Sequence, residues 1–211
     1  MPNTDTISPE LSAYHQKRLA QFRLENEKVE PESIVFVGDS ITEFFPIKKY
    51  LGRHLPLVNR GIAGTDTNWL LEHLDEQVAT LEASKLFLMI GVNDLGLGYS
   101  VTDTVGKIAE LVSQLRMLSP QSEIYLLSVL PVNEAQAFSK MVKIRKNADI
   151  QLLNANLKTL PGVDFIDLYP LLLDGDGQLA SKYTTDGLHL SQLAYESLAE
   201  VLGSYLNESV V

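Results

Sequence analysis

The sequence predicts an α/β sandwich built around a parallel sheet, and three observations point there. Short, β-rich apolar runs recur at 34–37, 57–59, 85–90, 124–129 and 163–168. The first, Ile34-Val35-Phe36-Val37, is apolar throughout rather than alternating, the pattern of a strand covered on both faces, and the others are runs of the same kind. Stretches with helical spacing lie between them, so strand and helix alternate. No internal repeat, low-complexity tract or Pro/Gly/Ser linker divides the 211 residues, which predicts one domain over 1–211. A domain of that length buries about 70% of the surface its unfolded chain exposes.

The first element is an amphipathic helix over about 8–28. Ser8 is its N-cap, Pro9 fits the first turn, Glu10 complements the helix dipole, and Leu11, Tyr14, Leu19 and Phe22 share one face. The strand Ile34-Val35-Phe36-Val37 follows Pro31, and a shorter strand at Leu57–Asn59 and a third at Lys85–Ile90 come next. Val105, Ile108, Val112 and Leu115 mark a helix ahead of the fourth strand, Ile124–Val129. Phe138, Met141, Ala148 and Leu152 are spaced for another helix. After the fifth strand, Val163–Leu168, the residues Ala194, Leu198, Val201 and Tyr205 mark the last. Periodicity leaves open whether Tyr14, Phe22 and Trp69 pack inside or meet a second copy in a homo-oligomer.

Composition narrows the function classes. Seventeen basic against twenty-seven acidic residues give a net charge of −10, which repels phosphate backbones and anionic membrane surfaces. Nucleic acid is therefore not an expected partner, and the basic group Lys140, Lys143, Arg145 and Lys146 reads as the wet side of a helix. The absence of cysteine excludes a disulfide framework, a thiol nucleophile and a thiolate metal site. Met1–Ser12 lacks a basic region followed by an apolar run, and no stretch approaches the length of a membrane span. A cytoplasmic location, with no stable membrane insertion, is the expectation.

In an open doubly wound sheet, ligands bind beyond the carboxyl ends of the strands, near the point where strand order reverses. Polar clusters stand at those places: Gly38-Asp39-Ser40-Ile41-Thr42, Asn59-Arg60-Gly61 and Gly91-Val92-Asn93-Asp94. Thr185-Asp186-Gly187-Leu188-His189 precedes the last helix and holds the only histidine of the C-terminal half. A serine hydroxyl is a poor nucleophile until a base takes its proton, and the base works best when a third group fixes its tautomer. Ser40, His189 and Asp186 suit those roles, the last two being close enough in sequence to face each other across one turn. Attack on an acyl carbonyl creates an oxyanion, for which the N–H groups of Ser40 and Gly61 and the amide of Asn93 are candidate donors. Asp39 and Asp94 read as supports of the two turns rather than as reacting groups.

These blocks resemble those of the SGNH, or GDSL-like, hydrolases, and more narrowly the bacterial platelet-activating-factor acetylhydrolase-like esterases. Gly38-Asp39-Ser40-Ile41 matches Gly-Asp-Ser-Leu with one conservative change, Gly61 the second block, Asn93 the third, and Asp186 with His189 the final Asp-x-x-His. The blocks run from Gly38 to His189, most of the chain. The resemblance implies a three-layer α/β/α sandwich on a five-stranded parallel sheet in the flavodoxin-like order 2-1-3-4-5. It implies Ser40 as nucleophile, His189 as base, Asp186 as orienting acid, and Ser40, Gly61 and Asn93 as oxyanion donors, with no metal and no organic cofactor. It also implies a small-molecule ester substrate, whose identity the motifs leave open: a short-chain or acetyl ester, a lipid or a thioester. A catalytically silent module that binds an acylated ligand is the contrasting expectation, since fold alone does not exclude it.

Other features carry plainer readings. His15, His54 and His73 lack a paired carboxylate in a matching motif and are expected to be solvated. Asp174-Gly175-Asp176-Gly177 alternates like a calcium loop, but Leu179 and Thr185 occupy the places where an EF-hand needs glycine and glutamate, so a tight turn is expected. Arg145 falls on the apolar stripe of its predicted helix and reads as a stem laid on the core with an exposed head. The loop Pro131–Lys140 is expected to border the pocket. The Gly-x-Ser-x-Gly elbow of α/β-hydrolases, a Walker loop and a Gly-x-Gly-x-x-Gly after the first strand are all absent from the sequence.

Overall fold

The computed structural model describes residues 7–206. Met1–Thr6 of the segment read for a leader, and the two ends of the predicted 1–211 domain, lie outside them. Helix α1 spans Pro9–Asn26, with the Ser8 hydroxyl accepting from the Leu11 N–H at 3.2 Å. Strand β1 is Ile34–Gly38, followed by the short helices α2 (Ser40–Glu43) and α3 (Ile47–Tyr50) and by β2, Leu57–Gly61. Then come α4 (Thr67–Glu72), β3 (Lys85–Met89), α5 (Val92–Leu97), α6 (Val101–Leu118) and β4 (Glu123–Leu127). The chain continues through α7 (Ser139–Val142), α8 (Asn147–Leu157), β5 (Asp164–Ile166) and α9 (Gln192–Leu206).

The five strands are parallel in the order β2-β1-β3-β4-β5, flanked by helices, as expected. Because β1 lies between β2 and β3, the connection from β2 must cross back over β1, and the turns after β1 and β3 diverge. That divergence opens the crevice in which the site is built. The register places Phe36 beside Phe87 and Phe87 beside Tyr125. Their rings stack at 4.7 and 4.8 Å, an aromatic ladder across the three central strands.

Phe22 and Trp69 pack inside with Leu19 and Ile62, and Tyr14 lies against them, so this aromatic group belongs to the interior. Among the described residues, no helix is long and apolar enough to cross a membrane.

The predicted helix carrying Phe138, Met141, Ala148 and Leu152 is two helices. Lys143, at φ 56°, breaks it between α7 and α8 and shifts the phase. Met141, Ala148 and Leu152 are exposed, and the face α8 buries is Asn147, Ile150, Leu153, Asn154 and Leu157. The Asp174–Gly177 segment is the expected turn: Asp174 Oδ1 accepts from the N–H groups of Asp176 (3.0 Å) and Gln178 (2.9 Å), between the bridged Leu173 and Leu179.

Candidate active site

The site begins at Gly38, the last residue of β1. A Cβ there would stand 2.2 Å from the Met89 carbonyl oxygen, so only glycine lets β1 run this close to β3. Asp39 caps the next helix by accepting from the Ile41 N–H at 2.9 Å, which puts Ser40 on the first turn of α2. The Ser40 N–H, one of the orphan donors of a helix start, has no acceptor among the described residues. Two side chains lock the other end of α2. Asn59 donates to the carbonyls of Thr42 (2.7 Å) and Phe45 (3.2 Å), and the buried Tyr195 hydroxyl donates to the Ile41 carbonyl (2.9 Å).

The C-terminal block folds into a compact turn between Thr184 and Leu190. The Thr184 hydroxyl donates to the His189 carbonyl (2.7 Å) and accepts from the Gly187 N–H (2.9 Å). Gly187 takes φ 84°, and a Cβ on it would collide with Phe138 at 2.5 Å. The Asn133 N–H donates to the Gly187 carbonyl at 2.8 Å, so the 131–140 loop packs directly on the histidine-bearing turn.

Asp186 Oδ1 accepts from the backbone N–H groups of Leu188 (3.0 Å) and His189 (2.8 Å), leaving Oδ2 for the imidazole Nδ1 at 2.7 Å. Burial opposes ionisation of Asp186, but the hydrogen bonds from the His189 ring and these two amides outweigh it and hold its carboxyl below the ordinary value. The carboxylate accepts, so Nδ1 carries a proton and Nε2 of the neutral ring is left as an acceptor. Nε2 lies 3.1 Å from Ser40 Oγ. The sequence-predicted serine, histidine and aspartate thus stand in one hydrogen-bonded line, an arrangement able to take a proton from the hydroxyl.

Asn93 sits on the first turn of α5, across the crevice. Its Nδ2 donates one hydrogen to the Thr65 carbonyl at 2.9 Å, and its second amide hydrogen is uncommitted. Gly61 departs from expectation. Its N–H already donates to Asn59 Oδ1 at 2.9 Å, so it is not free to meet an oxyanion. What requires glycine there is the backbone of Glu43, 2.2 Å from where a Cβ would stand. From Gly61 to Thr65, the N–H groups of Ile62, Ala63 and Thr65 are also bound. Only that of Gly64, at φ 81° and adjacent to the residue that Asn93 holds, has no acceptor among the described residues.

Both supporting aspartates are buried. Desolvation pushes Asp39 up to about 6, against the Ile41 hydrogen bond and the Arg145 charge. It pushes Asp94 up to about 6 as well, against the Thr67 hydroxyl and N–H that donate to it. Asp94 therefore ties α5 to the start of α4.

Three expectations about cations and histidines are corrected. His15 is 1% exposed: its Nε2 lies 3.0 Å from the Ala63 carbonyl and its ring centroid 5.1 Å from that of Trp69. Burial holds its pKa below the ordinary value. His73 is half-buried, stacked on Trp69 at 4.1 Å with Nδ1 2.8 Å from the Trp69 carbonyl, while His54 is exposed as expected. Arg145 is the third. Its head is buried rather than exposed, and it lies between α7 and α8 rather than on a helix.

Glu43 was not singled out by any motif, yet it joins α1 to the 61–65 loop. Its Oε2 accepts from the Ala63 N–H at 2.6 Å, and its Oε1 accepts from Tyr14 and lies 3.5 Å from Arg18 Nε. Desolvation and this carboxylate push the Tyr14 phenol up to about 12. Among the described residues, no group of three or more His, Asp or Glu side chains is placed to hold a metal ion.

The model of the GDSL-like Lipase/Acylhydrolase family matches residues 36–196, from β1 into α9. The chain belongs to this family. As a GDSL-like acylhydrolase it is a carboxylic ester hydrolase. A solved structure from Streptococcus pneumonia, whose description names platelet activating factor, is 37% identical with a TM-score of 0.88, covering 93% of this chain and 94% of that one. The platelet-activating factor acetylhydrolase IB subunit alpha1 of Rattus norvegicus is 27% identical over 88% of this chain and 79% of its own length. The acetyl xylan esterase AlAXEase shares 19% identity at a TM-score of 0.67, with 82% of this chain and 99% of that one covered, a likeness of fold.

Proposed function

We propose that this acylhydrolase cleaves short-chain, chiefly acetyl, esters through an acyl-serine intermediate on Ser40. The carrying observation is the line from Asp186 Oδ2 through both nitrogens of His189 to Ser40 Oγ, at 2.7 and 3.1 Å. His189 Nε2 takes the hydroxyl proton as Oγ bonds to the acyl carbon, and the imidazolium is steadied by the ionised Asp186. The carbonyl oxygen, now an oxyanion, accepts from the N–H groups of Ser40 and Gly64 and from the free amide hydrogen of Asn93. Collapse expels the alcohol, which leaves with the proton from His189. Water then repeats the sequence on the acyl-serine, with His189 as base again, and releases the acid.

The acetyl preference is supported by the names of the similar proteins, an acetylhydrolase and an acetyl xylan esterase. Ser40→Ala removes turnover of p-nitrophenyl acetate and labelling by a fluorophosphonate probe while the circular dichroism spectrum is kept. A folded Ser40→Ala variant turning over at near the wild-type rate overturns the assignment. A p-nitrophenyl series from acetate to octanoate gives falling kcat/KM with chain length; a maximum at octanoate replaces the acetyl reading with a lipid deacylase.

A further inference from the structure

Arg145 is a large cation enclosed by protein, 7% exposed, with no carboxylate in ion-pair contact among the described residues. Leaving a charge in that setting is costly unless its donors are used. They are. Nε donates to the Val92 carbonyl at 2.7 Å, Nη1 lies 3.3 and 3.4 Å from the carbonyls of Val142 and Met141, and Nη2 donates to Asn93 Oδ1 at 2.9 Å. Gly96, one turn along α5 from Val92, makes the room: a Cβ there would stand 2.1 Å from Nη2 and 2.2 Å from Cζ. The cation thus spans from the end of α7 to the first turn of α5 and stops on the amide of Asn93.

An asparagine amide is nearly symmetric in shape, and which end faces a substrate depends on its partners. Arginine has donors only, so the atom facing Nη2 is oxygen; a carbonyl only accepts, so the atom facing Thr65 is nitrogen. Both restraints agree, and they leave one N–H hydrogen of Asn93 free. A cation on the oxygen end also draws electron density from the amide nitrogen and strengthens its remaining N–H as a donor.

We propose that Arg145 is a positioning residue for the oxyanion: it fixes the orientation of the Asn93 amide and polarises the N–H offered to the developing charge. This rests on the reading of Asn93 as an oxyanion donor. The arginine touches no reacting atom, so its loss is felt through Asn93.

The test is a double-mutant cycle on kcat and KM for p-nitrophenyl acetate, using the full chain. Asn93→Ala lowers kcat by about 10²–10³-fold with little change in KM. Arg145→Gln lowers kcat by roughly 10–10²-fold, again with KM held. In the Asn93→Ala background, Arg145→Gln then changes kcat by less than about threefold, because the group it acts through is gone. Gly96→Ala, which displaces the guanidinium without altering either partner, reproduces the kcat loss and its dependence on Asn93. It carries the test if Arg145→Gln does not fold. An equal loss in both backgrounds, or wild-type kcat in a folded Arg145→Gln, overturns the proposal. Unchanged kcat in Asn93→Ala alone overturns the oxyanion reading beneath it instead.

Discussion

Asp94 is a fully buried carboxylate, and its donors on Thr67 do not fully compensate for the loss of solvation. Desolvation, with the nearby Asp66 charge adding to it, pushes its pKa from 3.8 up to about 6. Between those values the folded protein binds the proton more tightly than the unfolded chain. The stabilisation is full below the unfolded pKa and is lost as pH rises through the folded one, so Asp94 makes the fold less stable at pH 7 than at pH 4.5. Asp94→Asn keeps an oxygen for Thr67 and cannot ionise. Urea midpoints at the two pH values should show the variant gaining on the wild type as pH rises; a constant difference would remove Asp94 as the source. At this same scale the site was unevenly legible. Ser40, Asp186 and His189 stand in motifs beside strand ends and meet as the sequence suggested. Gly61 stands at a strand end and matches the second block, but whether an amide is free depends on its acceptor, here Asn59 two residues earlier, and a motif does not reveal that. The burial of His15 does have a sequence signal: it lies four residues from both Leu11 and Leu19 and so shares their face.

Among the elements, the segment joining α7 to α8 was the least legible and is the one that bears Arg145. Its apolar residues fit one continuous helical stripe on paper. Lys143, at φ 56° and ψ −122°, ends that helix in a conformation that disfavours any side chain. No glycine or proline at that point announces the break. Because the phase shifts there, Arg145 turns inward while Met141 and Leu152 face solvent. The Lys143 side chain is exposed and contributes little packing, so relieving the backbone is the dominant effect of Lys143→Gly. The gain is about 1 kcal/mol after the extra chain entropy of glycine is subtracted, or roughly 2–4 °C in Tm for a domain of this size. Calorimetry decides it, and a Tm below the wild type would mean that the turn is unstrained.

For the whole molecule, alternating apolar runs and helical stripes made a parallel sheet between helices legible, whereas the strand order was implied only by the resemblance of the motif blocks to the GDSL-like hydrolases. Strand ends were less legible: β5 is only Asp164–Ile166, shorter than the predicted 163–168, in which Asp164 and Asp167 interrupt the apolar residues. What holds the crevice open is the register of the three central strands, since Ser40 follows β1 and Asn93 follows β3. Backbone hydrogen bonds alone leave that register free to slip, whereas the Phe36, Phe87 and Tyr125 rings stack only when they are level. Phe87 is the middle rung and 1% exposed. Phe87→Ala removes both stacks and leaves a cavity, which costs about 3–5 kcal/mol. Phe87→Leu fills most of the space without a ring and costs about 1–2 kcal/mol. Chemical denaturation of the three proteins distinguishes a ladder from plain apolar filling: equal stability of Phe87→Leu and wild type would show that volume, and not stacking, secures the strands on which the site is mounted.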